Sequence, residues 1–178
     1  MRFYYIKNQL TEKIVVTSII AALYVVLTTV SGVFGLSYSG VQFRLSEALT
    51  ILPVFSPYAV TGLTLGCFIS NLASPFGIID IIFGTLSTFI SAHLTRRLAG
   101  ITFKKIPVLA PLPPVLIGAI FIGSILTLLL PQEFSLHAFI ISAISVGISQ
   151  FAVCYGLGLP LFFLVKKFST CGIRKEEI

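Results

Sequence analysis

Apolar residues run through the chain in long blocks, and polar residues gather in the gaps between them. Residues 12–31, 78–99, 107–130 and 136–165 are each dominated by apolar side chains. A bilayer core needs about 20 apolar residues to be crossed as an α-helix, so each block is read as a spanning helix, and the pattern gives helices rather than strands. The first block follows basic residues, as in a signal peptide. No A-x-A site follows it and it is long enough to span, so it is read as a retained helix. The prolines at 107, 111, 113 and 114 read as the start of a helix.

The stretch 46–72 is harder to place. As one helix it would be kinked at Pro53 and Pro57. As two, 46–56 and 58–72, it breaks at "SPY" into pieces shorter than a usual span. Basic residues decide the count. Arg2, Lys7 and Lys13 form one cluster, Arg96, Arg97, Lys104 and Lys105 a second, and Lys166, Lys167, Arg174 and Lys175 a third. Two segments in 46–72 put all three clusters on one side, which the positive-inside rule makes cytoplasmic; a single segment would put the middle cluster outside. The expectation is therefore an all-α integral membrane protein of six transmembrane helices with both termini cytoplasmic. It forms one domain over 1–178, multi-pass in the plasma membrane of a prokaryotic-type cell, and its short segments are tilted or capped by loops.

Composition agrees with this. The chain is 56% hydrophobic and 10% charged, where soluble domains carry about 25% charged residues. Its net charge of +6 would suggest nucleic acid in a soluble protein. Here the basic residues flank apolar runs, which points to membrane orientation and not to a nucleic-acid partner. Cys67, Cys154 and Cys171 lack metal-site spacing and read as small apolar fillers, so no metal site is expected.

The six-helix topology collects uncommon polar groups on the outer side. Arg44 and Glu47 open the 46–56 segment, Asn71 ends the next, Asp80 opens the fourth, and Gln132, Glu133 and His137 flank the last turn. Ionisable groups at a membrane boundary are costly and mark ligand or ion paths. Each also has a plainer reading. Arg44 and Glu47, three apart, could pair with each other; Glu47 and Asp80 could complement helix dipoles; Asn71 and Gln42 could cap backbone; Glu133 and His137 could sit on a solvated turn; Gln150 could bridge helices. Gly62 and Gly66 form a G-x-x-x-G suited to tight packing within the bundle. No G-x-x-x-x-G-K-[ST], H-E-x-x-H or G-x-S-x-G occurs, so nothing in the sequence argues for an enzyme or for ATP held by this chain.

Three segments carry a resemblance. "QFRLSEALTILP", "GLTLGCFISNLASPFGIIDIIFGTLST" and "GISQFAVCYGLGLPL" are similar to the QueT family of queuosine-precursor transporters, over roughly residues 14 to 165. These are substrate-binding subunits (S components) of energy-coupling factor (ECF) transporters. The resemblance implies a six-helix S-component bundle with an outward-facing site for a 7-deazaguanine base: the aminomethyl or cyano precursor, or queuine. A guanine-like edge presents two adjacent N–H donors, which a carboxylate accepts in a bidentate pair. Glu47 is the expected acceptor, and Arg44, Gln42 or Asn71 would donate to the neighbouring carbonyl. Asp80 would meet a protonated aminomethyl group, and Phe43 or Phe76 would stack on the rings. Gln150 completes the candidate set.

No cofactor is expected on this chain; the resemblance implies that ATP is hydrolysed by two partner ATPases joined to a transmembrane scaffold. It makes the first helix the docking surface, where Thr17, Ser18, Ala21 and Ala22 allow close approach, although a clean A-x-x-x-A is lacking. Two alternatives stay open at this point: a self-sufficient secondary transporter of a small solute, and an intramembrane enzyme or structural membrane subunit.

Overall fold

The computed structural model describes residues 2–35, 43–104, 106–128 and 135–173. They form six α-helices: α1 (Arg2–Val33), α2 (Tyr58–Asn71), α3 (Thr85–Leu98), α4 (Leu112–Leu128), α5 (Leu136–Gly156) and α6 (Gly158–Ile173). A 3₁₀ helix, Leu45–Val54, lies between α1 and α2, and a π turn, Asp80–Gly84, leads into α3. No strand occurs among the described residues; Phe103 and Ile106 form an isolated bridge in the α3–α4 connection.

α1 starts earlier than the run 12–31 suggests because nothing in residues 2–11 breaks a helix. It stops where Gly35 takes a φ of +71° and returns its N–H to the Gly32 carbonyl at 2.9 Å, the usual glycine ending of a helix. α1 and α2 pack face to face through the G-x-x-x-G. A Cβ on Gly62 would stand 2.8 Å from Ile20 Cβ, and one on Gly66 would stand 2.6 Å from Tyr24 Cβ. Only glycine admits backbones this close.

The segment expected as an α-helix over 46–56 is a 3₁₀ helix instead. Pro53 has no N–H to give to the turn before it. The Glu47 carbonyl is taken by side chains, Thr50 Oγ1 at 2.6 Å and Cys154 Sγ at 3.6 Å. In this form ten residues at about 2 Å each cover roughly 20 Å, against about 15 Å in an α-helix. This helix is buried on every side, with α1, α2, α3, α5 and α6 all packed against it.

The helix expected over 78–99 is present, but it opens as a π turn. Asn71 reaches across from the end of α2, donating from Nδ2 to the Asp80 carbonyl at 3.0 Å. Its amide lies so close to Gly84 that a Cβ there would be 2.6 Å from Nδ2. A side chain inserted at a helix ladder widens it in this way.

Two further boundaries are corrected. The helix expected from 107 begins at Leu112: Pro107 and Pro111 lie in the preceding turns, while Pro113 and Pro114 occupy the first helical turn, where an absent N–H costs nothing. The single helix expected over 136–165 is interrupted at Leu157, between Gly156 and Gly158. Pro160 supplies no N–H for the Gly156 carbonyl, while the ladder continues on either side through Leu157 N–H to Val153 O and Leu161 N–H to Leu157 O.

The distribution of side chains inverts that of a water-soluble bundle. Ile14, Ile19 and Val26 on α1 and Ile140, Ile144, Ile148 and Phe151 on α5 are exposed, the latter four as a stripe at helical spacing. The interior, beside apolar clusters such as that of Tyr24, Leu49 and Leu63, holds Thr28, Ser31, Arg44, Ser46, Glu47, Asn71 and Asp80. Charges turned inward and aliphatic groups turned outward suit lipid as the solvent. Leu10–Val33 and Leu136–Phe168 are long and apolar enough to cross a bilayer.

Candidate binding site

The buried charges sit where the amino end of the 3₁₀ helix meets the π turn. Arg44 precedes the 3₁₀ helix in extended conformation and sends Nη2 to Asp80 Oδ2 at 3.2 Å. Ser74 Oγ donates to the same oxygen at 2.6 Å. Arg44 is 5% exposed and Asp80 2%, so the pair is shut off from solvent. Arg44 therefore pairs with a residue 36 positions away and not with Glu47 three positions on.

Glu47 has a different partner. Tyr24, fully buried on α1, donates its hydroxyl to Glu47 Oε1 at 2.8 Å. The second oxygen, Oε2, has no hydrogen-bond partner among the described residues. Across from it, the Gln150 side chain of α5 lies against Gly118 of α4, where any Cβ would collide with its amide. Gln150 Oε1 is buried without a hydrogen bond, as is Asn71 Oδ1. An orphaned buried acceptor costs about 1–3 kcal/mol and needs an explanation.

These groups line a common cavity. Arg44 and Glu47 form one wall, Gly84, Ser87, Thr88 and Ser91 of the π turn and α3 a second, and Pro114, Ile122 and Gln150 a third. The free volume is about 10 Å³, room for a single water. The site is closed, with no room for more than that. Larger grooves lie on the outer surface, such as one of about 200 Å³ between Ile79, Phe83, Ile120 and Phe121. Its lining is apolar apart from Ser124, whose hydroxyl is committed to the Ile120 carbonyl at 2.7 Å, so nothing there orients a polar ligand.

Of the residues singled out from sequence, Arg44, Glu47 and Gln150 meet at this cavity. Asp80 and Asn71 stand behind it, one pairing Arg44 and the other holding the π turn. Phe76 is half-buried in the α2–π-turn connection and Phe43 half-buried before the 3₁₀ helix, and neither lines the cavity. Gln42 lies outside the described residues. His137 is exposed at the start of α5.

The docking set on α1 divides. Thr17 bonds to the Tyr58 carbonyl at 3.4 Å and Ala21 is buried beside Gly66, so both are turned to α2 and not outward. Ser18 and Ala22 are exposed, one turn apart. Sequence reading missed Tyr24 and the Ser87, Thr88 and Ser91 wall. The signal for the wall was present: with Gly84, these small polar residues recur at helical spacing along one face.

A family model described as QueT transporter matches residues 14–167 of the chain. The chain belongs to the QueT transporter family. Every residue lining the cavity falls within the part that matches QueT. The family description names a transporter and not an enzyme. The chain is also 42% identical over 88 residues to the "Queuosine precursor transporter QueT" of Lactococcus lactis subsp. cremoris (strain MG1363). That alignment covers 49% of this chain and 52% of the relative, so it spans about half the length of each. No solved structure matches the chain.

Proposed function

We propose that this QueT-family chain is the substrate-capturing subunit of an ATP-driven importer, and that its cargo is a queuosine precursor with a 7-deazaguanine core. The observation that carries the reading is two acceptors that share the cavity lining: Glu47 Oε2, without a hydrogen-bond partner among the described residues, and Gln150 Oε1, buried without one. A ligand that fills such a site brings N–H donors. A guanine-like edge carries an N–H and an adjacent amino group for Glu47, and beside them a carbonyl that accepts from Arg44. The Lactococcus relative, a queuosine precursor transporter by name, supports a queuosine precursor as the cargo. The test is melting temperature of the detergent-purified chain against a panel of deazapurines, purines and vitamins. A 7-deazaguanine at 100 times its Kd should add about 2.7 kcal/mol of stability, and stabilisation by an unrelated vitamin alone would overturn the assignment.

Uptake on this reading requires six spans with both termini cytoplasmic, as well as a scaffold and ATPases supplied by partners. In its support, Arg96 donates to the Pro53 carbonyl at 3.0 Å and Lys166 stands over Phe162, which puts basic residues at the end of the bundle away from Arg44 and Asp80. The outward side of α1 at Ser18 and Ala22 is the surface offered to the scaffold. In a cysteine-free background, Pro75→Cys should be labelled by an impermeant maleimide on intact cells and Lys104→Cys should not. External labelling at 104 would remove the six-span topology.

A further inference from the structure

We propose that Tyr24 is the positioning residue of the site, fixing the Glu47 carboxylate in the orientation that selects a ligand edge with two adjacent N–H donors. The proposal rests on the substrate reading above and adds a residue outside the cavity wall. Tyr24 is fully buried, and its hydroxyl reaches Glu47 Oε1 at 2.8 Å. Its Cβ sits in the notch left by Gly66, so the ring cannot shift unless α1 shifts on α2.

Two more bonds continue the same seam. Thr28 Oγ1 donates to Ser46 Oγ at 2.8 Å, and Leu45 N–H donates to Ser31 Oγ at 3.0 Å. Tyr24, Thr28 and Ser31 are spaced at four and three residues, one face of α1, and they meet Glu47, Ser46 and Leu45 in reverse order. A polar ladder thus runs from α1 to the start of the 3₁₀ helix. A carboxylate on a free side chain samples several rotations. This one has an oxygen pinned from α1, which settles where Oε2 points. Oε1 retains lone-pair capacity for a ligand N–H beside the tyrosine. The ladder also makes the seat of α1 and the aim of Glu47 a single variable, so a movement of α1 against its neighbours is felt at the cargo.

Tyr24→Phe removes one oxygen and leaves the ring in its notch. The probes are 7-deazaguanine and 7-deazahypoxanthine, which lacks the exocyclic amino group. Affinity for 7-deazaguanine should fall about tenfold. The loss for 7-deazahypoxanthine should be smaller, so the discrimination ratio between the two narrows. In a Glu47→Ala background, which removes the acceptor of the tyrosine hydroxyl, Tyr24→Phe should leave the ratio where Glu47→Ala alone puts it, as expected of two residues acting through one contact. Equal weakening of both probes with a lowered melting temperature, or additive effects in the double variant, would make Tyr24 a packing residue and overturn the proposal. If the unaltered chain binds neither probe, the substrate reading fails first and the Tyr24 assignment falls with it.

Discussion

Asp80→Ala should destabilise the chain by about 3–5 kcal/mol, the cost of stranding one member of a buried ion pair. Arg44 and Asp80 are both nearly inaccessible, and their 3.2 Å contact is deep in the bundle. Removing the carboxylate leaves the guanidinium without its counter-ion and deprives Ser74 of its 2.6 Å acceptor. The π turn opens at Asp80, so the loss is felt there as well. The measurement is unfolding of ligand-free protein in detergent, by melting temperature or denaturant titration. An Arg44→Met, Asp80→Leu double variant removes both charges and should recover much of the loss, because paired deletion abolishes the desolvation cost that single deletion exposes. An unchanged melting temperature for Asp80→Ala would mean that the pair carries no part of the fold.

Glu47→Gln should weaken ligand binding by about 2–4 kcal/mol, roughly 30- to 1000-fold, while leaving the empty protein close to its original stability. The two readouts separate because of where Glu47 sits. Its ion-pair role is vacant, since Arg44 is matched by Asp80. Its bond from Tyr24 survives the change, since a carboxamide oxygen still accepts. What changes is the atom toward the ligand: an acceptor becomes an N–H that faces the ligand's own N–H, and charge assistance is lost. A large fall in ligand-free stability with unaltered affinity would remove Glu47 from the site.

The polar residues of this site were legible because a chain that is 10% charged has few charges to place. Their partners were not legible. Spacing puts Arg44 beside Glu47, whereas the π turn brings Asp80 from 36 residues away, and no local pattern reports that. Tyr24 was hidden among abundant aromatic residues; only Thr28 and Ser31 on the same face hint at a polar seam. The inward turn of Thr17 and Ala21 followed from Gly62 and Gly66, whose partner helix the sequence did not name. The break at Leu157 was announced by Gly156 and Pro160, but the apolar run continues through it and periodicity alone reads across. The 3₁₀ geometry needed the Glu47 carbonyl to be claimed by Thr50 and Cys154 side chains, the second from more than 100 residues away.

That 3₁₀ helix works as a three-sided key. With about three residues per turn, side chains at i and i+3 stand in file, and each file meets different neighbours. Ser46, Leu49 and Leu52 face α1 and α2, where Ser46 joins Thr28 and Leu49 enters the cluster around Tyr24 and Leu63. Ala48, Ile51 and Val54 face α6 and the turn before α4, against Gly158, Ala110 and Phe162. Glu47 and Thr50 face the cavity and Cys154. Substitutions that keep the character of a file preserve the fit, but inserting or deleting one residue turns everything beyond it by about 120°. The carboxylate would then point at leucines and a leucine at the cavity, so the length of this segment is as binding a constraint on the protein as any residue within it.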